Sequence, residues 1–141
     1  NGRSMRFRPD AAAARTGTGR AMLNRLLDLR RQRERRLRVQ LARIGRQRAA
    51  AQQQRHELQT QRRQLQIAWR RHGATDYVLD RPAWQRFRAE LADCSLRDHE
   101  LGERLDALAV ELDRLQAVET GLRAQLYKVL TGQQKLQTLL E

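Results

Sequence analysis

The fold of this chain is decided by residues 84–140, which read WQRFRAELADCSLRDHELGERLDALAVELDRLQAVETGLRAQLYKVLTGQQKLQTLL. Apolar residues recur there at alternating intervals of three and four, so two adjacent rows of seven-residue spacing run along the stretch. The first row is Phe87, Cys94, Leu101, Leu108, Leu115, Leu122, Val129 and Leu136. The second row is Trp84, Leu91, Asp98, Leu105, Leu112, Glu119, Leu126, Gln133 and Leu140. A helix with such a seam hides one narrow stripe, so the sequence predicts a coiled coil with a partner helix.

A second, weaker seam lies in residues 20–72, which contain no proline and are dominated by good helix formers. Its first row is Leu23, Arg30, Leu37, Ile44, Ala51, Leu58 and Leu65. Its second row is Leu27, Glu34, Leu41, Arg48, Arg55, Arg62 and Trp69. We therefore expect a second long helix in which only the first row is mostly apolar. We also expect this helix to loosen or bend between Gly45 and Gln61, where apolar residues are fewest.

Between the two helices the sequence carries several helix-breaking signals. Gly73 suits the end of one helix, and Asp80 and Pro82 suit the first turn of the next. A chain reversal here predicts an all-α protein, a long two-helix antiparallel coiled-coil hairpin. The predicted parts are a flexible N-terminal lead-in (1–19), a first long basic helix (20–72), a turn (73–82) and a second long heptad helix (83–141).

The turn also predicts which residues face each other. If the reversal is centred near Tyr77, residues at equal distances on either side of it should be opposite one another. The pairs expected on this basis are Leu65 with Glu90 and Leu91, Leu58 with Leu96, Ile44 with Val110, and Leu23 with Thr131.

The charge is large and uneven. The chain of 141 residues has a formal net charge of +13. Residues 1–72 hold 20 Arg against 4 acidic residues, whereas residues 73–141 hold 9 Lys and Arg against 12 acidic residues. Such a basic half indicates an acidic protein surface, a nucleic acid or an anionic membrane as partner, although a basic helix face is most often simply solvated.

The single cysteine, Cys94, excludes an intramolecular disulfide and fits a reducing compartment. Its place in the first row predicts a buried thiol rather than a reactive one. The sequence contains no apolar run of about eighteen residues and no apolar centre of a secretion signal. We therefore expect no membrane span and a cytoplasmic location.

Catalytic chemistry is not indicated. His56, His72 and His99 are scattered and lack the further ligands that a zinc site needs. No serine or cysteine nucleophile has a base at a recognisable spacing, and the carboxylates are dispersed along a solvated helix. The sequence predicts a protein that is not an enzyme and has no catalytic residues, no metal site and no cofactor.

The opening of the first helix, MLNRLLDLRRQR at residues 22–33, is followed by a Gln- and Arg-rich helix, a short break and a leucine heptad helix. In this arrangement residues 20–141 resemble the YscO and FliJ family of type III secretion. The resemblance implies an antiparallel coiled-coil hairpin, similar to the stalk of rotary ATPases. Such a protein inserts into the central pore of the hexameric secretion ATPase, links it to the export gate protein and, in some members, handles secretion chaperones. It would be cytoplasmic and peripheral to the inner-membrane secretion apparatus.

Two candidate contact surfaces follow. A basic surface at the start of the first helix is suited to acidic groups lining a pore, and its members are Arg25, Arg30, Arg31, Arg33, Arg35 and Arg36. The second surface is a set of aromatic residues near the turn. The favoured interpretation is a local cluster that stabilises the end of the hairpin, and the alternative is an apolar anchor for a partner. Its members are Trp69, Tyr77, Trp84 and Phe87.

Two alternatives remain open. The Arg-rich helix could lie along the phosphates of a nucleic acid, although no aromatic residue interleaves with the basic run before Trp69 to stack on bases. The half seam of the first helix could instead be completed by another chain in a dimer or larger bundle. The polar row Arg48, Arg55 and Arg62 disfavours a dry interface there, but a parallel dimer through the second helix stays possible.

Overall fold

The structure, a computed structural model, describes residues 17–73 and 80–141. Two helices account for nearly all of them: α1 (Gly17–Gly73, 57 residues) and α2 (Arg81–Leu140, 60 residues). They pair as a helical hairpin, and the described residues contain no strand, so the predicted all-α fold is confirmed. Most of the predicted lead-in and turn, residues 1–16 and 74–79, lies outside the described ranges.

Asp80 caps the start of α2, which begins at Arg81, two residues before the predicted start at residue 83. Its Oδ1 accepts a hydrogen bond of 2.9 Å from the backbone N–H of Ala83, and its carbonyl oxygen accepts one of 2.9 Å from Trp84. An aspartate at this position satisfies an N–H group that the first helical turn would otherwise leave without a partner. Pro82 lies within that first turn, where its missing N–H costs nothing.

The chain divides into two compact units, each built from part of both helices. Unit 1 comprises Asn1–Gly45 and Ala117–Glu141, and unit 2 comprises Arg46–Gln116. The expected loosening between Gly45 and Gln61 does not interrupt α1, which is helical through this range. The division between the units nevertheless falls at Gly45 in α1, at the start of the stretch where apolar residues are fewest.

The core of unit 1 is a cluster at the start of α1 and the end of α2. Leu23, which is 1% exposed, packs with Leu27 and Leu136, and the partly buried Leu139 and Leu140 extend the cluster. These residues belong to the predicted rows or flank them. Burial of adjacent leucines on both helices supplies the apolar free energy that joins the helices in this unit.

Unit 2 has a sparser core. Its buried apolar residues are Ala51, Leu58, Cys94 and Leu115. The burial predicted for Cys94 is confirmed, and removal from water raises the pKa of its thiol because the thiolate is disfavoured there. All nine buried hydrophobic residues of the described chain lie in the rows read from the sequence. The seam prediction is therefore confirmed except near the start of α2, where Trp84 and Leu91 of the second row are 49% and 48% exposed.

The predicted pairing register holds next to the turn, where Leu65 lines grooves with Glu90 and with Leu91, but it is wrong farther from the turn. Leu23 packs with Leu136, five residues beyond the predicted Thr131, and Leu96 and Val110 are exposed rather than opposite Leu58 and Ile44. Leu96 and Val110 lie outside both rows. Symmetry about the turn would place Leu96 and Val110, which are exposed, between the helices. Burial of the apolar seam residues sets the register instead, because it removes more apolar surface from water.

Candidate partner-binding surfaces

The six arginines predicted to form the basic surface all lie in α1 within unit 1, and all are exposed. They do not share one face, because successive residues of a helix are separated by about 100°. Arg33 and Arg36 each precede a seam residue, and Arg31 and Arg35 each follow one. Arg25 lies on the outer face, and Arg30 belongs to the seam itself.

Arg30 has a structural role that the other arginines lack. A Cβ atom at Gly132 would lie 2.5 Å from its Nη1 and 2.9 Å from its Cζ, so the guanidinium group rests directly on the bare backbone of α2. Arg62 uses a similar arrangement in unit 2, where a Cβ atom at Gly102 would lie 3.3 Å from Nη2. Two glycines of α2 thus leave room for two seam arginines of α1.

Beside Gly132 the surface of unit 1 forms an open groove of about 360 Å³. The residues that line it are Arg30, Tyr127, Lys128, Thr131, Gly132 and Lys135. The lining includes both lysines of the chain and no carboxylate. Tyr127 is 73% exposed, and the hydroxyl of Thr131 donates a hydrogen bond of 2.9 Å to its carbonyl oxygen. The groove is therefore strongly cationic and open to a ligand.

Polar residues that interrupt the two seams pair with each other. In unit 1 the amide of Gln133 donates a hydrogen bond of 2.9 Å to Glu34, which also accepts one of 2.7 Å from Arg38. In unit 2 Arg62 donates two hydrogen bonds to Asp98, of 2.9 and 3.3 Å. The pKa of Glu34 is lowered mainly by the hydrogen bond from Gln133 and, after it, by the hydrogen bond from Arg38. The pKa of Asp98 is lowered by its hydrogen bond with the Arg62 guanidinium.

The Arg62–Asp98 pair gives a pH prediction. Because the pKa of Asp98 is lower in the folded chain than its usual value of about 3.9, its stabilising effect is present at neutral pH. That effect is lost as the pH falls through the lowered folded pKa. Asp98→Asn should therefore lower the urea midpoint at pH 7 and lower it less at about pH 2.

Urea unfolding at both pH values measures this difference. Asp113→Asn removes an exposed carboxylate from the same helix and serves as the control, with no expected change in midpoint at either pH. An equal effect of Asp98→Asn at both pH values would show that the ion pair does not carry the pH dependence.

The aromatic residues of unit 2 form a cluster. Trp69 meets Phe87 edge to face at 5.7 Å, and Phe87 stacks with Trp84 at 5.8 Å and with His72 at 5.8 Å. Tyr77, the fourth predicted member, lies outside the described residues. The local cluster is therefore present, while Trp84 remains 49% exposed and available as an apolar anchor.

Beside this cluster lies a second groove, of about 290 Å³, lined by residues that include Leu65, Trp69, His72, Glu90 and Arg97. His72 Nε2 lies 3.3 Å from a carboxylate oxygen of Glu90. Charges of both signs are therefore present, in contrast to the cationic groove of unit 1.

No group of three or more His, Cys, Asp or Glu side chains that could hold a metal ion occurs in residues 17–73 and 80–141. His99 pairs with Glu103 one turn along α2, at 3.1 Å. Neither described helix contains a segment long and apolar enough to cross a membrane.

Comparisons of the chain with protein-family models, with characterised proteins and with solved structures gave no match. The class of molecule is thus defined by its own geometry, a two-helix coiled-coil hairpin with exposed basic side chains around α1. Sequence reasoning missed the cationic groove of unit 1. The signal for it was present in the two lysines on either side of Gly132, but their approach to Arg30 depends on the register.

Proposed function

We propose that the chain is a non-enzymatic stalk and adaptor of a bacterial type III secretion system. In this role it binds the central pore of the hexameric secretion ATPase, couples the ATPase to the export gate protein and escorts secretion chaperones. It acts in the cytoplasm, peripheral to the inner-membrane secretion apparatus. The resemblance of residues 20–141 to the YscO and FliJ family motivates the proposal, and the hairpin of α1 and α2 supports it.

The observation that carries the ATPase contact is the exposure of the arginines in the first part of α1. Among the described residues, Arg25, Arg31 and Arg35 have exposed side chains and form no salt bridge. Cations presented in this way attract acidic groups of a pore and favour the correct orientation during association. Arg30 is less suited to this role, because its guanidinium group rests on Gly132.

The test measures ATP hydrolysis by the cognate secretion ATPase with and without this protein. We expect stimulation, and we expect the triple variant Arg25→Glu, Arg31→Glu, Arg35→Glu to need at least about tenfold more protein for the same stimulation, about 1.4 kcal/mol of binding free energy. Arg30 is left unchanged so that the contact with Gly132 is preserved.

A control variant with the same change in charge is Arg46→Glu, Arg63→Glu, Arg104→Glu, which alters exposed residues of unit 2. It should stimulate like the unchanged protein. Equal losses in both variants would indicate a nonspecific charge effect. No stimulation by the unchanged protein, together with tight and salt-sensitive binding of duplex DNA, would contradict the stalk proposal and favour the nucleic-acid alternative.

A further inference from the structure

An exposed apolar stripe lies at the start of α1. Met22, Leu26 and Leu29 are 39%, 41% and 53% exposed, and their spacings of four and three place them on one face. Each immediately precedes a seam residue, so the stripe flanks the buried cluster rather than belonging to it. Three large apolar side chains at these spacings form a surface that a partner helix can cover.

The cationic groove lies on the same side of unit 1. Lys128, Gly132 and Lys135 also immediately precede seam residues of α2, and in an antiparallel pair the corresponding flanks of the two helices lie on one side of the interface. The contact between Arg30 and Gly132 agrees with this placement. The apolar stripe and the lysines therefore border one surface, which we call the basic-apolar groove.

Charge restricts what this groove can bind. The described part of unit 1 contains twelve Lys and Arg against four Asp and Glu. Two of the four acids, Glu34 and Glu119, already accept hydrogen bonds or ion pairs from Arg38 and Arg123. An occupant must therefore bring negative charge as well as apolar side chains.

We propose that the basic-apolar groove binds an amphipathic helix of a partner protein, with acidic residues beside its apolar stripe. Lys128 and Lys135 are two helical turns apart, about 10.5 Å along the axis. Carboxylates seven residues apart on a partner helix match this separation, while Met22, Leu26 and Leu29 receive its apolar side chains. Such docking of a helix into a groove is a common mode of peptide recognition.

Other occupants fit less well. Residues 1–16 of the chain carry four Arg and one Asp, and the same surface of a second copy is also basic, so both would be repelled. A nucleic acid would leave the apolar stripe unused. A membrane-bound helix needs its main apolar face free, whereas Leu23 and Leu27 of α1 are buried against α2.

The experiment uses the full chain and a synthetic helical peptide of about three heptads, with leucines along one stripe and glutamates on both sides of it. Lys128 and Lys135 are the only lysines, so after treatment with an amine-acetylating reagent the lysine-containing peptides, identified by mass spectrometry, report on this groove. We expect the peptide to bind and to slow acetylation of both lysines. A peptide of the same composition with the leucine stripe scrambled should do neither.

Two variants test the two parts of the groove. Lys128→Glu with Lys135→Glu removes the cations, and Leu26→Ser with Leu29→Ser removes apolar contacts from exposed positions. Each should weaken peptide binding by at least about tenfold, or 1.4 kcal/mol. Arg46→Glu with Arg63→Glu makes the same charge change in unit 2 and should weaken it far less. Circular dichroism checks that each variant keeps its helices.

Equal binding of the scrambled peptide would overturn the proposal, as would the absence of binding. Protection of the lysines by a single-stranded oligonucleotide or by anionic phospholipid vesicles, but not by the peptide, would assign the groove to a different polyanion and also overturn it. The assay contains no ATPase, and Arg31 and Arg35 lie on the other flank of α1. A negative result in the peptide assay would therefore contradict the groove proposal without contradicting the stalk proposal.

Discussion

Replacing Leu23 by alanine should lower the free energy of unfolding by about 2–5 kcal/mol. Leu23 is 1% exposed and packs with Leu27 and Leu136. The substitution removes buried methyl groups and leaves a cavity between the helices that these leucines fill only in part. A chain of this size has a total stability of about 5–15 kcal/mol, so the loss is a large fraction of it.

Urea unfolding followed by circular dichroism measures the change, and amide hydrogen exchange shows whether the ends of α1 and α2 open first. Val39→Ala is the matched control, because Val39 lies in the same part of α1 and is 67% exposed. It should change stability by less than about 0.5 kcal/mol. Similar effects of the two substitutions would show that the leucine cluster does not hold unit 1 together.

The leucine cluster also shows what the sequence predicts well. The seven-residue spacing alone identified Leu23, Leu136 and the other buried residues of the rows. Apolar side chains with this spacing lie on one face of a helix, and that face is the one buried against a partner. The start of α2 was predicted from Asp80, because an aspartate side chain can cap a helix. In the structure this side chain accepts a hydrogen bond from the backbone N–H of Ala83, three residues later. These features depend on local geometry, which a single sequence contains.

Register and surfaces depend on contacts between distant residues. The heptad row places Arg30 in the seam, but the sequence does not indicate that its guanidinium group rests on Gly132, about a hundred residues later. Glu34 and Gln133 likewise read as two defects in two seams. Their hydrogen bond makes them one polar layer, and no local pattern of the sequence indicates that pairing.

This polar layer gives the second large effect. Replacing both Glu34 and Gln133 by leucine should raise the free energy of unfolding by about 1–4 kcal/mol, because a buried polar pair is often less stabilising than apolar residues of similar volume. The side chain of Glu34 is 21% exposed and Gln133 is 8% exposed, so leucines there would be largely buried. Glu34→Leu leaves the amide of Gln133 without this acceptor, and Gln133→Leu leaves Glu34 facing leucine with only its hydrogen bond from Arg38. The double variant should therefore exceed the sum of the single variants by about 0.5–3 kcal/mol.

Specificity should fall as stability rises. A polar pair within an otherwise apolar seam disfavours registers and assemblies in which one of its members faces leucine. We therefore expect the double variant to form dimers or larger species in sedimentation experiments at concentrations where the unchanged chain does not. Gln32→Leu with Gln125→Leu adds two leucines at exposed positions of unit 1 and controls for hydrophobicity alone. If that control self-associates equally, or if the effects of Glu34→Leu and Gln133→Leu are additive, then Glu34 and Gln133 do not act as a pair. Their hydrogen bond would then stabilise one helix contact without selecting the register of the hairpin.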